Sequence, residues 1–224
     1  MKGMDGQLGA WTMEDNEYVE VRDEPRHRHR FENDYIRLYD VLIPEGDQTL
    51  YHRHGVDTFY VMIADSSVQD RTFGESASST AQITAGGAFL RAHLSEPLIH
   101  RVCNIGSGDA RMIGAELKAT PPVSASFPLN VPCHSVQKEH ERLRVYRLRI
   151  QPEETTGPIS YDFYSLTVVL EAAVVLIEDE LHNQTLMSCS AGDAIWQSPR
   201  SNFTISNPGR AEYRAIVAEW RKRS

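Results

Sequence analysis

Leu-Tyr-His-Arg-His-Gly-Val-Asp-Thr-Phe-Tyr-Val-Met-Ile, residues 50–63, is the stretch on which the fold turns. Its β-branched and aromatic content and its alternation predict two strands joined by a turn at Gly55, Val56 and Asp57. On an extended chain alternate side chains share a face, so His52 and His54 point one way while Tyr51 and Arg53 point the other. Two imidazoles so placed converge on one point, as an ion bound at about 2 Å from each nitrogen requires. With the register kept through the turn, Thr58, Tyr60 and Met62 form the inward row of the returning strand.

A third imidazole lies downstream, where His100-Arg-Val-Cys-Asn104 follows the loop at 94–99 and opens another apolar alternation. A Gly-rich turn at Gly86 and Gly87 stands between the two pieces. The set His52-x-His54, Gly86-Gly87 and His100-x-x-x-Asn104 resembles the two motifs of the cupin superfamily of small β-barrels. That resemblance implies His52, His54 and His100 as the ligands of one divalent transition metal. Where the family's first motif carries a Glu, this chain has Thr58, with Asp57 beside it. Asp57 is therefore read as a fourth ligand or as the partner of a ligand. Three neutral imidazoles leave the ion its full double charge, which favours anionic substrates or hydroxide as further ligands.

The 224 residues carry 23 Lys and Arg against 31 Asp and Glu, a net charge of −8. With no basic stripe, nucleic acid is not expected as a partner. No apolar run reaches the length of a membrane span and the first residues are polar and acidic, so neither a membrane partner nor a secretory signal is expected. Three cysteines without a CxxC spacing fit a reducing, cytoplasmic setting. The expected assembly is a monomer or homodimer. A second His-x-His, His27 and His29, stands among Arg26, Arg28 and Arg30, and is read as a solvated basic loop whose guanidiniums would repel a cation.

Residues 1–17 read as an arm, 18–119 as a first β-rich domain, 120–133 as a Pro-rich linker and 134–224 as a second domain. Within the first, 66–81 is polar and is expected as a loop over the barrel mouth. The second domain repeats the first: the run from Ile36 to Ile43 matches that from Leu143 to Ile150, Pro44-Glu45 matches Pro152-Glu153, and Arg111 to Glu116 matches Arg214 to Glu219. In the register set by the prolines, His52 falls on Ser160, His54 on Asp162, Thr58 on Leu166 and His100 on Phe203. The second copy thus lacks the ligands, and an apolar run from 166 to 177 is expected to fill it. The resulting expectation is an all-β chain of two tandem cupin barrels, a bicupin with one working site.

Iron(II) is the preferred ion, with zinc, manganese and nickel as alternatives. Three-histidine cupin iron sites resemble those of thiol and diketone dioxygenases, which implies oxygenation of a small anionic or chelating substrate. Tyr60 is read as a hydrogen-bond donor at the metal, and Arg91 or His93 as holding a carboxylate at the mouth. A non-catalytic sensor or carrier and a cupin isomerase or epimerase are the competing readings.

Overall fold

The computed structural model describes residues 17–222, so the arm expected over 1–17 lies outside the described residues but for its last. The first half opens with β1 (Val19–Glu20), a short 3-10 turn at Val21–Asp23 and β2 (His27–Glu32), followed by β3 (Ile36–Ile43), β4 (His52–His54) and β5 (Thr58–Met62). It continues through β6 (Ser66–Thr72), β7 (Ser79–Ile83), β8 (Ala88–Arg91), β9 (Leu98–Asn104) and β10 (Ala110–Leu117). The second half holds β11 (His134–Glu139), β12 (Leu143–Ile150), β13 (Ile159–Tyr161), β14 (Ser165–Val169) and β15 (Ala173–Glu178). It ends with β16 (Gln184–Cys189), β17 (Ala194–Gln197), β18 (Arg200–Ser206) and β19 (Tyr213–Trp220). Among the described residues no helix is long and apolar enough to cross a membrane.

Each half is a pair of sheets closed into a barrel, and the two halves have one topology. The order β2-β3-β10-β5-β8 returns as β11-β12-β19-β14-β17, and β4-β9-β6-β7 returns as β13-β18-β15-β16. The chain is all-β, two tandem barrels. Alternation decides what each barrel encloses. In β3, Tyr39, Val41 and Ile43 face the first interior with Val68 and Ala110, while Ile36 and Leu38 face outward. The outward row of the first half packs on that of the second: Phe59, Val61 and Ile113 meet Leu143, Leu166, Ile216 and Trp220 in one apolar layer. Thr58, Tyr60 and Met62 form the inward row predicted for the returning strand.

Three expectations are corrected. His27 does not lie in a solvated loop. It begins β2 and is 7% exposed, because alternation turns it inward while Arg26 turns out to Asp47 and Arg30 to Asp40. His29, one pleat further on, is solvated and pairs with Glu32. The polar run at 66–81 is the hairpin of β6 and β7, polar because β7 is an exposed sheet edge. The internal register also moves by one residue. Val145 lies opposite Ala218 as Leu38 lies opposite Ala115, and the left-handed turn residue Gly46 (φ 72°) answers to Glu153 (φ 65°). His52 therefore corresponds to Ile159, His54 to Tyr161 and Thr58 to Ser165, whereas Phe203 remains the counterpart of His100 because each faces the first residue of its partner strand.

Candidate metal centre

Five imidazoles meet inside the first barrel. His52 and His100 are cross-strand partners on β4 and β9, with ring centroids 4.7 Å apart, and His54 lies 4.8 Å from His52 and 5.1 Å from His100. β2 adds His27, whose ring centroid is 4.6 Å from that of His52. One ring nitrogen from each of His27, His52 and His54 falls within 4.8 Å of the others. The fifth, His93, comes from the turn after β8 and stacks on His54 at 4.7 Å and 18°.

Hydrogen bonds fix how three of these rings present themselves. His52 Nδ1 donates to the Leu50 carbonyl at 2.9 Å, His27 Nδ1 to Glu24 Oε2 at 2.8 Å and His100 Nδ1 to Asp70 Oδ2 at 2.8 Å. An imidazole that donates through Nδ1 while neutral keeps the Nε2 lone pair free to ligate, and a carboxylate behind the ring raises its basicity. His52 Nε2 is fully buried without a hydrogen-bond partner. Such an orphaned acceptor costs about 1–3 kcal/mol unless something fills its lone pair. Burial lowers the protonation of His52 and His54 well below the usual histidine range and holds His93 at about 4. A crowd of neutral, converging imidazoles fits a divalent cation, which prefers nitrogen donors that need not lose a proton first.

The acidic residues beside the His-x-His strand take other roles. Asp57 is 5% exposed, accepts from Arg142 Nη1 at 2.7 Å and from the Leu94 amide at 2.8 Å, and so ties the second half and the turn bearing His93 to the site hairpin. With its carboxylate spanned by these donors, Asp57 is placed as a clamp rather than as a ligand. Thr58 donates to the Val56 carbonyl. Opposite it on β10, Glu116 is buried in the cavity floor with Tyr39, Thr58, Tyr60, His27 and His54. Its carboxylate accepts from Arg37, and the second barrel repeats that ion pair as Arg144 and Glu219, so the pair belongs to the frame of both barrels.

Tyr60 is buried with its hydroxyl 3.5 Å from His54 Nδ1, and burial pushes its phenol well above the usual tyrosine range, so it stays a neutral donor. Arg91 is exposed at the end of β8, opposite Thr58, with its guanidinium 5.6 Å above the Phe89 ring. It therefore stands on the interior face at the rim. His27 is the member that sequence reasoning missed. Its signal was the duplication: Leu143 follows Ile36 by 107 residues, and the same step leads from His27 to His134, also inward on the first strand of its sheet. In the second barrel His134 Nε2 lies 2.5 Å from the Tyr161 hydroxyl, and Tyr161, Phe163 and Phe203 fill the space that the first barrel gives to imidazoles.

Similarity to solved structures extends over nearly the whole chain. AerE from Microcystis aeruginosa is 9% identical, with 89% of this chain and 99% of that one covered at a TM-score of 0.56. A variant of salicylate 1,2-dioxygenase from Pseudoaminobacter salicylatoxidans in complex with gentisate is 11% identical over 87% and 74%, with a TM-score of 0.58. YhaK from Escherichia coli is 13% identical over 89% and 93%, with a TM-score of 0.55. At these identities the likeness is one of fold. No family model matches the chain, and no curated protein does.

Proposed function

We propose, from the double cupin fold that the chain carries, that its first barrel is a mononuclear metal centre and that the protein is an Fe(II)-type dioxygenase of a small anionic or chelating organic substrate. The observation that carries the metal reading is the buried, unpartnered Nε2 of His52 among converging imidazoles. His52, His54 and His100 would hold the ion, with His27 as a fourth donor. When bound, a divalent iron supplies a redox centre and a Lewis acid with positions left for small ligands.

The chain's own residues supply the rest. Glu24 and Asp70 place negative charge behind His27 and His100, partly offsetting the charge that a missing ligating Glu would cancel. Tyr60 offers a neutral hydroxyl next to His54 and can donate a hydrogen bond to an anionic oxygen. Arg91 stands at the rim without an acidic partner among the described residues, where a guanidinium can take a carboxylate in two parallel hydrogen bonds. Val41 and Met62, both buried, give the interior an apolar wall.

The test is oxygen uptake by protein loaded anaerobically with Fe(II), across a panel of small carboxylates, thiols and diketones. The expected result is uptake with at least one chelating member, lost in His52→Ala and reduced mainly through KM in Arg91→Ala. Zinc as the ion of the purified protein, together with no uptake on any substrate, would overturn the oxygenase reading.

A further inference from the structure

The two halves also differ on the outward face of their paired sheets, at the rim of the layer between the barrels. In the first half Arg111 on β10 is held in place: its Nε donates to Asp40 Oδ1 at 3.0 Å, its Nη2 to Asp40 Oδ2 at 2.9 Å and its Nη1 to the Ala191 carbonyl at 2.9 Å. The guanidinium lies directly on Gly192, where a Cβ would come within 2.6 Å of Nη2. The turn of one half thus seats an arginine of the other, with a carboxylate closing the seat.

The counterpart is built from the same parts with its charge reversed. Arg214 answers to Arg111, the Ala85-Gly86 turn answers to Ala191-Gly192, and Arg147 stands where Asp40 would be. Arg214 turns away to Glu171 and lies 3.8 Å from Glu212, so a Cβ on Gly86 would meet only Leu170 Cδ1, at 3.3 Å. What remains is a groove lined by Ala85, Gly86, Arg147, Arg149, Leu170 and Arg214. Glu212 also pairs with Arg149, and Asp65, whose Oδ1 accepts from the Ala85 amide, does not line the groove. Two carboxylates therefore serve three guanidiniums, and Arg147 has no acidic partner among the described residues. Arg149 lies opposite Arg214 and Arg147 two residues along β12, and in a chain of net charge −8 an uncompensated arginine beside two others stands out.

We infer that this groove binds a small oxyanion of the phosphate type, whose geminal oxygens span Arg147 and Arg214 as the Asp40 carboxylate spans Arg111. Planar guanidiniums suit such an anion because each can donate two parallel hydrogen bonds. The site is separate from the imidazole cluster and stands whether or not the metal reading holds.

Calorimetric titration of inorganic phosphate into the full chain, at ionic strength held constant with NaCl, tests it. The titration is repeated in His100→Ala to exclude phosphate on a metal ion. One saturable site per chain is expected in both proteins. Arg147→Asp places the first half's carboxylate in the groove and should weaken phosphate binding by about tenfold or more, with the unfolding midpoint maintained or raised. Arg147→Lys keeps the charge without the planar fork and should retain part of the affinity. Should Arg147→Asp fail to fold, Arg214→Gln serves, with the same loss expected. No saturable site in the unsubstituted chain, undiminished affinity in Arg147→Asp, or loss of the site in His100→Ala would each overturn the inference.

Discussion

The two barrels have one frame and two interiors. Arg37 and Glu116 pair inside the first as Arg144 and Glu219 do inside the second. Asn104 ties the end of β9 to the Ile43 and Gly108 carbonyls as Asn207 ties β18 to those of Ile150 and Ala211. Inside the barrels the difference lies at the centre: His52, His54 and His100 against Ile159, Tyr161 and Phe203. The duplication thus works as an internal control. Buried charge common to both halves belongs to the fold, and buried polarity found in one half belongs to the site. That argument assigns Glu116 to the frame and leaves His52, His54 and His100 to the chemistry, while His27 shares its position with His134 and differs from it by the Glu24 carboxylate behind its ring.

The largest expected effect tests whether the second interior is hydrocarbon core. Phe203 is 3% exposed and packs edge-on against Tyr161 at 5.1 Å. Phe203→Ala should cost about 3–5 kcal/mol in denaturant unfolding and leave the metal content unchanged. A loss of metal with stability intact would mean that the second barrel contributes to the site. Next comes the clamp between the halves. Arg142→Ala takes the guanidinium from the buried Asp57 and should cost about 3 kcal/mol. It should also loosen the turn bearing His93, measurable as faster hydrogen exchange at Leu94, whose amide Asp57 accepts.

How much of this the sequence disclosed depended on which periodicity carried it. The His52-x-His54 strand and the inward row of Thr58, Tyr60 and Met62 followed from period-2 alternation, which the pleat enforces. The duplication followed from the run of eight residues shared by Ile36–Ile43 and Leu143–Ile150 and the run of six shared by Arg111–Glu116 and Arg214–Glu219. His27 was obscured by the arginines around it, of which Arg26 turns out to Asp47 and Arg30 to Asp40. The one-residue slip in the internal register came from aligning Pro44 with Pro152. The backbone instead aligns Gly46 with Glu153, a residue forced into the left-handed region and with no sequence mark to show it. Asp57 gave no sign of Arg142, because that partner is 85 residues away in the other half.

A smaller effect is expected from pH. His93 in the folded chain protonates at about 4, below the ordinary value of about 6.5, because burial disfavours its charged form. Between those values the unfolded chain binds a proton that the folded chain does not. Stability is therefore complete above about pH 6.5 and declines as pH falls toward about 4, with about 2 kcal/mol lost by about pH 5 for this group. His52 and His54 shift in the same direction. Metal-free protein should show this loss in unfolding experiments between pH 7 and 5, with a shallower slope in His93→Gln. An equal slope would place His93 in contact with solvent. The smallest effect separates the paired histidines: His27→Ala should weaken metal binding, whereas His134→Ala should not change it, since His134 already hydrogen-bonds Tyr161.

The central claim, one metal centre in the first barrel and none in the second, is tested most directly by counting metal. Protein purified without chelator, analysed by elemental mass spectrometry beside His52→Ala, should carry close to one transition-metal ion per chain, and the variant close to none with its barrels folded. Two ions per chain, or one ion retained in His52→Ala, would contradict the account.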